Sequence, residues 1–261
     1  MHRLGQRRRD SGFTVIDLMV VGVAVVVLMV LVLVVLLPTF SAKAHVARQL
    51  ANNTQLRGIH QGFVTWAQSN KAGGRDGYYP GLDASGNVIS DGPLTGHSGD
   101  GTVPAAAMWM LLDGGFFTPE FMISPGDGHT TELALDPATR TYPPVTHENF
   151  SYAFQSLAGH PAVKDEWKEP LNTVTVIMGD RAIGTGPADI STVWTAPGRG
   201  EWRGGFVRSD NSTSFETDHV FTNTKYGGEP VNPTDDIFED DPAAADAFLV
   251  HEDAITAYSA K

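Results

Sequence analysis

The first strong pattern along the chain is an apolar run from Leu18 to Leu37 that follows a polar, arginine-bearing segment. About 20 uncharged residues is the length an α-helix needs to cross a hydrocarbon core roughly 30 Å thick. The many valines would favour a strand in water. In lipid each backbone amide must be satisfied within the segment, so the pattern predicts a transmembrane helix. After Pro38 the period changes. Val46, Leu50, Asn53, Leu56, Ile59, Phe63 and Trp66 recur at spacings of three or four, which predicts an amphipathic helix to about Asn70 with one apolar stripe. Gly58 and Gly62 each weaken such a helix by up to about 1 kcal/mol relative to Ala, so tertiary packing must hold it. Joined, the two pieces predict one long helical stem that runs to about Asn70, with Pro38 as the place for a kink.

The pattern then breaks down in "NKAGGRDGYYPGLDASGNVISDGPLTGHSGDG", a loop region with room for one short hairpin. Its aspartates do not follow the spacing of a calcium loop. A short buried helix is predicted from Pro104 to near Gly114, with Met108, Trp109, Met110 and Leu111 as core, and a second apolar turn from Glu120 to Ile123. From Asn172 the runs "NTVTVIMGD", "STVWTA", "WRGGFVRSD" and "STSFETDHV" predict an antiparallel meander. "SDNS" at Ser209 to Ser212 is the turn of a hairpin whose arms carry Phe206 and Phe215. The expected fold class is α+β: a long N-terminal helix, half transmembrane and half amphipathic, packed on an antiparallel sheet domain.

Charge and composition narrow the function. With 18 Lys+Arg against 30 Asp+Glu the formal net charge is -12, which argues against a nucleic-acid partner. Cysteine is absent, which excludes disulfides and thiolate chemistry. No G-x-S-x-G, H-E-x-x-H or P-loop occurs, "GDRAIGTGP" reads as a turn, and enzymatic activity has no positive support. His60 and His219 are expected to be hydrogen-bonded structural residues. The crowded carboxylates Asp235, Asp236, Glu239, Asp240 and Asp241 are read as a solvated face. A hard cation would relieve their repulsion, but no ligand set is assigned, and neither metal nor cofactor is expected.

One residue contradicts the lipid pattern: Asp17, at the cytoplasmic edge of the apolar run. Arg3, Arg7, Arg8 and Arg9 precede the run, whereas Lys43 and Arg48 follow it more sparsely, so the N-terminus is expected in the cytoplasm and the bulk of the chain outside. A removed secretory signal would have a shorter apolar core, and a twin-arginine signal a less greasy one. "SGFTVIDLMVV" resembles the N-terminal signature of type IV prepilins and of the pseudopilins of type II secretion. The resemblance implies cleavage by a prepilin peptidase between Gly12 and Phe13, N-methylation of the new Phe13 amine, and pairing of the Asp17 carboxylate with the N-terminus of a neighbouring subunit. "FFTPEFMISP" and "WRGGFVRSDNSTSFETDHVFTNTKYG" also resemble segments of pilin-like proteins with a large exported domain.

Two features depart from the family pattern: its carboxylate is usually Glu, and its proline usually comes about one helical turn sooner than Pro38. The implied organisation is a leader at 1–12, a transmembrane helix at 13–37, a stem helix at 38–70 and an exported α+β domain at 71–261. The implied function is a structural subunit of a type IV pilus-like filament, held in the inner membrane before assembly, with the peptidase and other copies of itself as partners. A type II secretion pseudopilin is the alternative within that class. An unprocessed, signal-anchored periplasmic binding protein or hydrolase is the alternative outside it.

Overall fold

The computed structural model describes residues 14–70, 77–82, 103–128, 130–157, 164, 166–168, 172–226, 231–239, 247–251 and 258–259. The leader, with Gly12, lies outside them, as do Phe13, most of the expected hairpin after the stem, Asp240 and Asp241. The chain divides into two compact units, Met1–Ala47 and Arg48–Lys261. Helix α1 spans Val15–Asn70 and takes in both helices that the apolar patterns predict, without interruption at Pro38.

In the first unit, Val15–Val34 is long and apolar enough to cross a membrane, and none of it is buried. In the second unit, Asn52, Leu56, Ile59, His60, Phe63, Trp66 and Ala67 turn one face of α1 into the core. Their spacing is that of a single helical stripe. The predicted stripe is corrected at its start. Val46 and Leu50 are 62% and 69% exposed, and the buried asparagine is Asn52, since Asn53 is only half-buried.

Helix α2 spans Val103–Asp113, where the Pro104 and Gly114 signals put it, and a 3-10 turn at Pro119–Met122 follows. The strands are β1 Tyr152–Gln155, β2 Val176–Asp180, β3 Ala182–Ile183, β4 Gly204–Arg208, β5 Thr213–Glu216, β6 Val220–Phe221, β7 Asp235–Asp236, β8 Leu249–Val250 and β9 Tyr258–Ser259. The main sheet has the order β5-β4-β2-β1-β8, and every neighbouring pair in it is antiparallel. Two small pairs, β3 with β9 and β6 with β7, lie outside it.

The fold is therefore α+β, but the sheet is not the simple meander expected from Asn172 onward. Strand β1 comes from before that point, and β8 returns from the C-terminal end to cover the edge of β1. "STVWTA" does not form a strand. Ser191 makes one bridge to Ile183, after which the Thr192 amide donates to the Thr195 hydroxyl at 2.8 Å and the Thr192 hydroxyl donates to the Arg203 carbonyl at 2.6 Å. Threonine side chains that bond nearby backbone in this way compete with a ladder. The hairpin at Ser209 to Ser212 does form. Its Asn211 adopts φ 65°, a left-handed conformation that Asn tolerates.

The sheet carries core on both faces. Tyr152, Phe154 and Val207 belong to one cluster with α1 and α2, whereas the alternating Ala153, Val176 and Phe206 belong to another with Trp202, Phe221 and Phe238. Ile177 and Met178 share the first cluster although they are consecutive, because the pairing of β2 with β4 shifts register between Val176 and Met178. Phe63 anchors α1 within that cluster, with ring centroids 5.7 Å from Tyr79, 5.6 Å from Phe154 and 5.4 Å from Trp167.

Two glycines let the layers approach this closely. A Cβ on Gly58 would sit 2.8 Å from the Phe121 ring, so the residue that weakens α1 in isolation is the one that admits its packing partner. On β4, a Cβ at Gly205 would meet Asn53 Oδ1 at 2.6 Å, Asn52 Nδ2 at 2.7 Å and Leu56 Cδ1 at 2.8 Å. The backbone of β4 therefore lies directly against α1, a use of glycine that requires the missing side chain.

Candidate functional site

Of the three residues singled out in the N-terminal signature, the structure describes Asp17. It lies in the first turn of α1 and closes a reciprocal cap with Thr14. The Thr14 amide and hydroxyl donate to Asp17 Oδ2 at 2.9 and 2.8 Å, and the Asp17 amide donates to Thr14 Oγ1 at 3.2 Å. This is the capping-box arrangement, with Thr as cap and the carboxylate three residues on. A negative charge there also complements the helix dipole. The aspartate thus has a local partner within one chain. Gly12 and Phe13, the proposed scissile pair, lie outside the described residues.

The second candidate was not foreseen from the sequence. Asp180, the last residue of β2, is fully buried. Its Oδ2 accepts hydrogen bonds from the Asn52 amide of α1 at 2.7 Å, the Gly205 amide of β4 at 2.7 Å and the Trp194 indole at 3.0 Å. Asn52 is oriented from its other end, because the Tyr152 hydroxyl donates to Asn52 Oδ1 at 3.1 Å. Tyr152 stands opposite Asp180 in the β1–β2 register. Burial pushes the Asp180 carboxyl up to about 7. The hydrogen bonds from Gly205, Trp194 and Asn52 oppose that shift without cancelling it.

A third buried cluster joins Asp127 and Arg181, 3.2 Å apart and shielded from solvent. Ser151 Oγ donates to Asp127 Oδ2 at 2.9 Å, and the Thr130 hydroxyl donates to the same oxygen. Arg181 follows Asp180 in the chain, yet its guanidinium is turned to Asp127. His251 is buried nearby with Nε2 2.9 Å from the Phe150 carbonyl, and burial followed by the Arg181 charge lowers it to about 3. Ser151 donates to Asp127 and His251 reaches backbone, so the three do not form a proton relay to the serine.

His60 and His219 are both hydrogen-bonded. His60 Nδ1 lies 3.1 Å from Asn211 Oδ1 and Nε2 3.3 Å from the Tyr79 hydroxyl, which assigns the proton to Nδ1. Burial lowers His60 to about 4. His219 Nδ1 is 3.0 Å from Asp236 Oδ1, and that bond raises it. The acidic segment is not simply a solvated face. Asp235 is buried with Oδ2 3.3 Å from the Tyr226 hydroxyl, Asp236 pairs with His219, and of the three carboxylates among the described residues Glu239 alone is exposed. The polar partners flank β6, with His219 just before it and Tyr226 after it. Among the described residues no group of three or more His, Asp or Glu side chains is arranged to hold a metal ion.

Compared with protein-family models, with curated proteins and with solved structures, the chain gives no match.

Proposed function

We propose that this chain is a pilin-like structural subunit. A prepilin peptidase removes residues 1–12 and methylates the Phe13 amine, and α1 then carries the subunit from the inner membrane into a filament. The observation that carries this reading is a carboxylate in the first turn of a helix whose Val15–Val34 segment is apolar and unburied, and which starts directly after Gly-Phe-Thr. An ionised group at membrane depth costs at least a few kcal/mol unless it is paired. Cleavage would create an ammonium one helical turn from Asp17, and pairing with a neighbour's ammonium would fix the axial register of the two helices. Such a pair sets position more than it adds net stability. The second unit, with an acidic chain composition and its own core, would form the surface of the fibre outside the membrane.

The Thr14–Asp17 cap favours a second reading, in which Asp17 only starts the helix of an unprocessed signal anchor. Mass spectrometry of the N-terminus of protein isolated from its own host separates the two. An N-methylated Phe13 is the expected result, and an intact Met1 leaves the anchor. Imaging with antibody to the second unit then distinguishes a surface filament from a pseudopilus confined to the periplasm.

A further inference from the structure

Asp180 carries its three hydrogen bonds on one oxygen. Asn52, Trp194 and the Gly205 amide all donate to Oδ2, an arrangement that favours the ionised carboxylate. The other oxygen, Oδ1, is buried and has no hydrogen-bond partner among the described residues. Ser124, a further polar neighbour of this carboxyl, is 1% exposed, and its hydroxyl is unpartnered as well. Asn53 Oδ1, which lies against Gly205, is a third buried oxygen in the same condition. Native proteins leave few buried polar atoms unsatisfied, so a group of them at one joint calls for an explanation.

The chemistry of these atoms restricts what can satisfy them. Carboxylate and amide oxygens only accept, and a hydroxyl can do either, so the complement must be rich in donors. It must also be positive. Asp127 meets the Arg181 guanidinium at 3.2 Å, whereas Asp180 has no ion pair among the described residues. Arg57 on α1 donates to Thr213, and Arg208 on β4 is stacked on the Phe206 ring. A buried charge without an opposite one is costly, and a bound cation offsets that cost. A hard metal ion fits poorly: calcium takes about six to eight oxygen ligands, and no group of three or more His, Asp or Glu side chains able to hold a metal occurs among the described residues. An N–H group needs a single acceptor. Trp202 Nε1 is an unpartnered donor, but its ring packs with Phe221 and Phe238 in the cluster on the opposite face of the sheet.

We propose that Asp180 Oδ1 and Ser124 Oγ anchor a binding site for a small primary ammonium ion. One N–H is given to the carboxylate oxygen and another to the hydroxyl, and the ligand's charge balances that of Asp180. Trp194 separates the site from solvent. Of the three residues that donate to Oδ2 it alone is half-buried, Asn52 and Gly205 being buried. Its indole lies on Gly126, where a Cβ would sit 3.2 Å from three ring carbons, so the missing side chain admits an aromatic wall beside the carboxyl. An aromatic wall suits a cation. This inference does not depend on processing or assembly at the N-terminus.

The test uses the full chain in detergent micelles at about pH 8, above the value of about 7 to which burial raises the carboxyl. Methylammonium chloride is titrated calorimetrically up to about 0.1 M at constant ionic strength, with sodium, potassium and tetramethylammonium chlorides as controls. The expected result is saturable binding of methylammonium at one site per chain, with no comparable response to the controls. Above the dissociation constant, the unfolding constant should fall about tenfold for each tenfold rise in methylammonium. Asp180→Asn, which replaces the free acceptor or removes its charge, is expected to abolish binding, and Ser124→Ala to weaken it about tenfold, the loss of one hydrogen bond to a charged group. An equal response to potassium or tetramethylammonium would overturn the proposal. So would the absence of saturable binding, or unchanged affinity in D180N. If D180N does not fold, S124A decides: weakened binding supports the site, and unaltered affinity removes it.

Discussion

Asp17 and Asp180 are carboxylates in apolar settings, and they are accommodated by different means. Asp17 sits at a helix start, where unsatisfied amides and the dipole favour negative charge, and Thr14 completes its local bonding. Asp180 sits at a strand end in the core, where three donors converge and, among the described residues, no cation pairs with it. The first is a sequence-local arrangement and the second joins residues 128 positions apart. Two substitutions separate the possible duties of Asp17. Asp17→Ala removes the carboxylate half of the capping box together with its charge, and leaves the Thr14 hydroxyl as an acceptor for the amide of residue 17. Asp17→Asn keeps an oxygen acceptor and removes only the charge. If the carboxylate pairs with a neighbour's amine, both variants insert and are cleaved but give markedly fewer filaments, as counted by electron microscopy. Normal filament yield from D17N would leave capping as the whole role of this residue.

At the scale of elements, α1 changes environment along its length. Its first part is exposed apolar surface from Val15 to Val34, and its later part contributes one buried stripe from Asn52 to Ala67. A helix is stable in the second setting because the stripe is covered, which offsets the two glycines within it. Burial of side chains such as Leu56, Ile59 and Phe63 contributes about 1.5–3 kcal/mol each. The contrast between positions of one predicted stripe is testable by urea unfolding. Phe63→Ala is expected to destabilise the second unit by about 3–5 kcal/mol, since it opens a space among Tyr79, Phe154 and Trp167. Leu50→Ala, at a site 69% exposed, is expected to change stability by about 0.5 kcal/mol or less.

For the whole molecule, three buried groups give a pH dependence that no single element has. His60 and His251 are held neutral, lowered to about 4 and about 3. An unfolded histidine gains its proton near about 6.5, so each costs stability as pH falls below that value. Asp180 acts with the opposite sign over the overlapping window. Two histidines against one aspartate leave these groups with a net loss of stability on acidification below about pH 6.5. His60→Gln should flatten that limb, with equilibrium unfolding at a series of pH values as the measurement. An unchanged acid slope in that variant would exclude His60 as a contributor.

The membrane-length helix, the later amphipathic helix, α2 and the hairpin at Ser209 to Ser212 were legible because each depends on a local pattern: length, period, or turn chemistry. "STVWTA" misled because strand propensity was outweighed by threonine bonds to neighbouring backbone. The acidic tail misled because its partners, Tyr226 and His219, come from other turns of the chain.

By itself, the sequence determined where an apolar helix could cross a membrane, that Asp17 stands at its start, and that an α+β unit follows. These are properties of nearest neighbours and helical period, and they do not depend on how the chain closes. Only the tertiary structure decided that Asn52 and not Asn53 enters the core, that β8 returns to cover β1, and that Asp180 is enclosed among donors from α1, β4 and the loop at 192–195. A single residue carries no mark of its burial or of the charge opposite it, because both are fixed by residues distant in the chain.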